Sequence, residues 1–321
     1  MSEKNETVKK ISALHKSLLD QYSSYPEQDL RTQYHPDLSQ LGWHLCHVSF
    51  IEQYWLREVV VGDDSRTSGL HKDFFPELIE KGKRGGLPVL ADFDQLQADF
   101  NDAEDLLSQL SLAACDHPLM KNDYLGWFLI QHAEQHMETM QMALQQRAMT
   151  NVSEAVFTAK YFDPRDPVIP DLIIAAGEHD IGSDDILACD NEQPVHKVTL
   201  PEYIFASKMV SNAEYLGFML ADGYLRQEFW SDEGWQWNRN CQHDAPEFWQ
   251  QDGQGNWYSL SAQGQSDIDA NAAVSGLSWY EADAFARYAG CRLPHEFEWE
   301  AAMNSDSALM LSTGQAWEWC A

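Results

Sequence analysis

The stretch "LIQHAEQHMETM" (residues 129–140) places two histidines four positions apart in a segment that otherwise has the composition of a buried helix. Residues spaced by three and four lie on one face of a helix. Here that spacing joins one mostly apolar stripe, formed by Leu125, Leu129, His132, His136, Met140 and Ala143. Both imidazoles are therefore expected to point into a core, and two imidazoles one turn apart can share a metal ion.

A second pair of histidines, His44 and His47, lies upstream in "WHLCH" (residues 43–47). The surrounding helix is apolar nearly all round, so periodicity leaves open which of the two faces the downstream pair. Burying several imidazoles without partners costs free energy, and one shared ion would satisfy them together. We therefore predict a metal site in preference to a set of packed core histidines. Imidazole suits zinc, iron, nickel and copper, so the donors alone do not fix the metal.

The two halves of the 321-residue chain follow different patterns. The first half has four long segments of helical periodicity, which is typical of a helix bundle. One of them is predicted to start near Pro36 and to end at Gly62, and the last is predicted to start at Pro118. The second half has short β-like runs, many aromatic residues and two short helices. Ser211 and Ser278 each precede a glutamate at capping-box spacing. The predicted organisation is a four-helix bundle over 1–150, a linker over 151–166 and a mixed α+β domain over 167–321.

Composition and charge indicate the compartment of the protein and exclude some classes of partner. The formal net charge is 21 − 51 = −30, a field that repels nucleic acid and anionic membranes. The six cysteines form no C-x-x-C pair, which favours free thiols in a reducing compartment. The charged N-terminus does not have the pattern of a signal peptide, and no apolar run is long enough to cross a membrane. We expect a cytoplasmic protein with neither nucleic-acid nor membrane partners.

Several motifs carry a resemblance to a known family. The first half, with an early histidine and a late H-x3-H, resembles the DinB-like metal-binding bundles. The second half resembles the formylglycine-generating-enzyme/sulfatase-modifying-factor domain, which has a C-type-lectin-like fold. The motifs are "DNEQPVHKVTLPEYIFASKMVSNAEYLGFM" (190–219), "DGYLRQEFWSDEGWQW" (222–237), "VSGLSWYEADAFARYAGCRLPHEFEWEAA" (274–302) and "GQAWEWCA" (314–321). In this order the two modules resemble the sulfoxide synthases of ergothioneine biosynthesis and their ovothiol and selenoneine relatives.

The resemblance implies a ligand set. The family's W-x-L-x-H pattern falls on Trp43, Leu45 and His47, which selects His47 as the first Fe(II) ligand and leaves His44 as an extra candidate. The family's H-E-Q-Q-H-type motif falls on residues 132–136, so it implies His132 and His136 as the other two ligands. Gln135 takes the place of a glutamine that contacts the imidazole substrate. Ala133 replaces the usual glutamate at a position outside the ligand set.

The reaction that the resemblance implies is oxidative C–S bond formation. A non-heme Fe(II)- and O2-dependent enzyme of this type joins a thiol, γ-glutamylcysteine or cysteine, to the imidazole ring of hercynine, a histidine betaine. Two alternatives stay open from the sequence. One is a selenoneine-type synthase that uses a selenosugar, and the other is a non-catalytic metal-binding protein with an incomplete second domain.

The motifs of the family continue beyond the last residue of this sequence. The chain stops two residues after "WEW", whereas the family continues through the segment that carries its proposed proton-donor tyrosine. We therefore expect a second domain that is truncated at its C-terminus, with no catalytic proton donor assignable.

Other charged residues near the histidine motifs have less specific interpretations. We expect a solvated loop at Lys81, Lys83 and Arg84, and exposed helix side chains at Glu52 and Glu138.

Overall fold

The computed structural model describes residues 6–87, 92–113, 115–150, 157–168, 170–241, 244–305, 314 and 316–321. The chain divides into two compact units, Met1–Val152 and Ser153–Ala321. The first unit is helical and the second combines short helices with small antiparallel sheets, so the predicted fold class is confirmed. Of the predicted linker, residues 151–156 lie outside the described residues. No helix in the described part of the chain is long and apolar enough to cross a membrane.

Four long helices form the part of the first unit that the structure describes. They are α1 (Glu6–Ser23), α3 (Leu41–Gln53), α5 (Phe93–Leu112) and α6 (Tyr124–Thr150). Two short helices, α2 (Glu27–Arg31) and α4 (His71–Phe74), lie in the connections. Both α1 and α3 contact α5 and α6, which is the arrangement of a four-helix bundle. Residues buried in the core include Ile11, Trp43, Phe50, Leu107, Leu125 and Leu129.

The predicted ends of two helices change in the structure. The helix after Pro36 begins only at Leu41, and it continues beyond Gln53 as a π-helix, Tyr54–Val61. That π-helix ends at Gly62, where the sequence predicted the end, with a left-handed backbone (φ 82°) that suits glycine. The last helix of the bundle was predicted to start at Pro118. Pro118 instead opens a 3-10 segment, and α6 starts after a kink at Asn122.

Within its described residues, the second unit contains three small antiparallel sheets. Strands β1 (Leu172–Ile174) and β4 (Tyr203–Phe205) form one sheet, β2 (Gly177–Ile181) and β3 (His196–Leu200) form another, and β5 (Trp249–Gln251), β6 (Trp257–Ser261) and β7 (Gly264–Asp267) form the third. Its helices are α7 (Asn212–Leu220), α8 (Asp232–Cys241), α9 (Trp279–Tyr288) and α10 (Glu296–Ser305). Tyr215, Phe218 and Phe285 form an aromatic core between α7 and α9.

Both predicted capping boxes are present in this unit. The backbone N–H of Ser211 donates to Glu214 Oε2 at 2.9 Å, and Ser278 N–H donates to Glu281 Oε2 at 2.7 Å. The serine hydroxyls accept the reciprocal bonds from the glutamate N–H groups. Helix α8 was not predicted from its sequence, which is rich in tryptophan and asparagine.

Candidate metal centre

Helix α6 presents two imidazoles to the bundle. Leu125, Leu129 and Met140 are buried on the predicted stripe, and His132 and His136 lie among them, half-buried. The centroids of the two rings are 4.5 Å apart, as expected for side chains one turn apart.

Helix α3 supplies the third imidazole, His47, which is 3% exposed. Its Nδ1 lies 2.7 Å from the backbone oxygen of Phe74, an acceptor, so Nδ1 carries the proton and Nε2 keeps a free lone pair. That Nε2 atom lies 3.1 Å from His132 Nε2. One ligand atom from each of His47, His132 and His136 lies within 4.8 Å of the others. The structure thus brings the three predicted ligands together.

The donor set fits a metal ion. Two imidazole nitrogens bound at about 2.1 Å to one ion are about 3.0–3.4 Å apart for angles between 90° and tetrahedral, and the observed 3.1 Å falls in that range. Burial is the main cause that lowers the pKa of each ring, to about 4 for His47 and about 3 for His132, and further for His136. All three rings are therefore neutral near pH 7, which is the form that binds a metal.

His44 also faces α6, but at a different place. It is 4% exposed, and its Nδ1 lies 2.8 Å from Nδ1 of His136. It is not part of the group of three whose ligand atoms lie within 4.8 Å. Burial, as the largest cause, lowers the pKa of His44 to about 3. Both histidines of "WHLCH" therefore meet the α6 pair: His44 contacts His136, whereas His47 contacts both His132 and His136.

A stack of three side chains fixes the orientation of His47. The Trp43 indole lies parallel to the His47 ring, with centroids 4.7 Å apart and 13° between planes. The guanidinium of Arg84 covers Trp43 with its carbon 3.8 Å from the ring centroid. Trp43 Nε1 donates to the backbone oxygen of Asp73 at 3.0 Å. The stack holds His47 from the side while Phe74 holds its Nδ1.

Two expectations for charged residues are wrong. Arg84 is not in a solvated loop: it is 4% exposed, and its N–H groups donate to Ser39 Oγ and to the backbone oxygens of Pro76 and Ile79. Lys81 and Lys83 are exposed, as expected. Glu52 is not an exposed helix side chain, because only 1% of it is accessible. Glu138 is exposed.

Glu52 is part of a buried polar cluster that the sequence did not reveal. His15 on α1 places Nε2 2.9 Å from Glu52 Oε1 and Nδ1 2.7 Å from Glu104 Oε1, and its ring stacks on Phe100. Burial opposes protonation of His15, but the two carboxylates outweigh it and raise its pKa to about 9. The cluster ties α1, α3 and α5 together. The helical spacing of Ile11, His15 and Leu18 could have indicated the cluster, because it places this histidine on a buried face.

Each unit of the chain matches a known protein family. Residues 159–321 match the sulfatase-modifying factor enzyme 1-like domain, and they make up half of the chain. This chain belongs to that family. Residues 11–140 match the DinB superfamily, so the helical part of this sulfatase-modifying-factor family member is a DinB-type bundle. The predicted pair of modules, in the predicted order, is confirmed.

Some relatives of the chain align with both of its units. The chain is 29% identical over 299 residues to the hercynine oxygenases of Mycolicibacterium thermoresistibile and Mycobacterium tuberculosis, over 88% of its own length. It spans 63% and 66% of the length of these two relatives. Over 126 residues, or 35% of its length, it is 32% identical to the formylglycine-generating enzyme of Thermomonospora curvata. The predicted resemblance to sulfoxide synthases of the ergothioneine type is therefore confirmed at the level of the family.

Proposed function

We propose that this chain is an Fe(II)- and O2-dependent sulfoxide synthase that acts on hercynine. The enzyme would join the sulfur of a thiol, γ-glutamylcysteine or cysteine, to the imidazole ring of this betaine. The observation that carries the proposal is the convergence of three neutral imidazoles from α3 and α6. It is supported by relatives that are named hercynine oxygenase and align with both units.

His47, His132 and His136 would hold the iron. Three imidazoles leave further coordination positions open, as substrate-binding metal sites require. When bound, the iron would supply a redox centre for dioxygen and a binding place for the thiolate sulfur. The chain's own contribution is orientation. The Phe74 oxygen fixes which nitrogen of His47 faces the site, and Trp43 fixes the plane of that ring.

Gln135 is the proposed contact to the imidazole of the substrate. It precedes His136 on α6, and its side chain is exposed rather than committed to the core. Its backbone oxygen accepts a hydrogen bond from the Thr139 hydroxyl at 2.9 Å. A carboxamide can both donate to and accept from an imidazole ring, so it could orient hercynine in either tautomer.

The test has a binding step and a reaction step. Under anaerobic conditions, the full chain is titrated with Fe(II), and His132→Ala is compared with His35→Ala, a histidine in a connection of the same unit. We expect one tightly bound iron per chain, lost in the His132 variant and kept in the His35 variant. Equal iron binding by His132→Ala would refute the site.

The second step measures oxygen consumption and products by mass spectrometry, with hercynine and γ-glutamylcysteine or cysteine supplied together and singly. We expect a sulfoxide product and oxygen uptake only when both substrates are present. Iron binding without any product from these thiols would refute the reaction and leave the metal site standing.

A further inference from the structure

We propose that His44 is a positioning residue for the metal centre: it accepts a hydrogen bond from Nδ1–H of His136 and so directs the Nε2 lone pair of His136 toward the ion. The inference rests on the proposed metal site. It assigns separate roles to the two histidines of "WHLCH", with His47 as a ligand and His44 behind a ligand.

The contact between the two rings is short and buried. Nδ1 of His44 and Nδ1 of His136 are 2.8 Å apart, with ring centroids at 5.0 Å. Exactly one proton can lie between two such nitrogens, because two lone pairs or two N–H groups at this distance would repel each other. One ring must therefore donate and the other accept.

His47 shows what this contact accomplishes. A ligand imidazole that offers Nε2 to an ion must carry its proton on Nδ1, and an acceptor beside that proton fixes the tautomer and the plane of the ring. For His47 the acceptor is the Phe74 backbone oxygen, 2.7 Å away. For His136 the atom in the equivalent place is Nδ1 of His44. The His44 imidazole would thus accept from His136 the hydrogen bond that the Phe74 carbonyl accepts from His47.

Geometry argues against a fourth ligand. Among the described residues, the group whose ligand atoms lie mutually within 4.8 Å contains His47, His132 and His136 but not His44. His44 also lies three residues before His47 on α3, so the two rings reach neighbouring parts of α6. His44 is thus placed to hold His136 rather than to join it as a ligand.

The second nitrogen of His44 gives the contact a directional preference that depends on the metal. Nε2 of His44 is buried and has no hydrogen-bond partner in the part of the chain that the structure describes. Without an ion, the less costly arrangement keeps the His44 proton on Nδ1, because a buried lone pair is easier to leave unpaired than a buried N–H. With an ion on Nε2 of His136, the proton of that ring must lie on Nδ1, so His44 must move its own to Nε2. Each ring keeps one proton, and the donor and acceptor exchange roles.

Nuclear magnetic resonance of the full chain labelled with 15N-histidine reads these protons directly. Zinc, which is diamagnetic, serves as the probe metal, and long-range 1H–15N correlations identify the protonated nitrogen of each ring. We expect His136 protonated at Nδ1 and His44 at Nε2 in the zinc form, and the reverse donor in the metal-free form. A zinc form in which His136 is protonated at Nε2, or in which His44 itself binds zinc, would overturn the proposal.

Zinc affinity supplies the second measurement, with matched variants. His44→Phe keeps an aromatic ring but removes the acceptor, and we expect it to weaken zinc binding about 10–100-fold. His44→Asn places a carboxamide oxygen near the position of Nδ1, and we expect it to restore most of that loss. Circular dichroism verifies that both variants keep the helical fold, which separates positioning from a packing defect.

The outcomes separate this inference from the function on which it rests. If His47→Ala loses zinc binding while His44→Phe binds as tightly as the unaltered chain, the His44 role is refuted and the metal site stands. If His44→Asn binds as weakly as His44→Phe, the hydrogen bond is not the cause and the proposal also falls. If His47→Ala keeps full zinc binding, the proposed metal site itself fails.

Discussion

The buried cluster of His15, Glu52 and Glu104 should make the stability of the bundle depend on pH. The His15 ring is 2% exposed and contacts a carboxylate on each side, and its pKa rises from 6.5 to about 9 on folding. Each tenfold change in proton affinity is worth about 1.4 kcal/mol, so the bound proton stabilises the fold by about 3 kcal/mol. Because the folded pKa is the higher one, this stabilisation is complete below about pH 6.5 and is lost as the pH rises through about 9.

The perturbation is His15→Gln, which removes the titrating ring but keeps a polar side chain. Urea unfolding of the full chain, followed by helical circular dichroism under reducing conditions, gives the free energy of unfolding at pH 6.0 and pH 9.5. We expect His15→Gln to be less stable than the unaltered chain at pH 6.0. The difference should shrink by about 3 kcal/mol at pH 9.5.

A matched control separates the proton from the packing. Leu107→Val shortens a fully buried side chain of the same core and adds no titrating group, so its destabilisation of about 1 kcal/mol should be the same at both pH values. If the gap between His15→Gln and the unaltered chain is as large at pH 9.5 as at pH 6.0, the carboxylates do not hold a proton on His15. The reasoning from burial and charge would then be refuted.

Further predictions concern both units. Saturation with Zn2+ at 100 times its dissociation constant should stabilise the bundle by about 2.7 kcal/mol, seen as a higher melting temperature that His132→Ala abolishes. Ser211→Ala removes the cap that accepts from the Glu214 N–H and should cost about 1 kcal/mol in urea unfolding; an unchanged midpoint would contradict the capping role. Gly217→Ala directs a methyl group into the backbone oxygen of Arg165, so we expect a loss of thermal stability larger than that of an exposed Gly253→Ala, where nothing lies within 4 Å.

The sequence predicted the bundle and its histidine face because both rest on local periodicity. The stripe through Leu125, Leu129 and Met140 identifies the buried face of α6 without reference to any other helix. Spacing alone could not separate His44 from His47, because α3 is buried nearly all round. Their different partners, His136 and the Phe74 oxygen, lie 92 and 27 residues away in the chain.

Arg84 and Glu52 were missed because residues from other parts of the chain help to build their surroundings. "KGKRGG" (81–86) has the composition of a solvated turn, and it does not indicate that the Ser39 hydroxyl, 45 positions away, joins the nearby carbonyls of Pro76 and Ile79 around Arg84. The sequence around Glu52 is that of an ordinary helix, and it does not indicate that His15 of α1 contacts this carboxylate. In both cases a charged side chain is buried because partners from other segments satisfy it.

The two helices that carry the imidazoles are far apart in the chain, since His47 and His132 are separated by 85 positions. An ion held by both would act as a removable cross-link that closes a loop of this length. By the chain-entropy relation for cross-links, such a closure is worth about 4–5 kcal/mol to the folded state. A protease cut in the connection between α5 and α6 would then leave two fragments that stay together with metal and separate when a chelator is added.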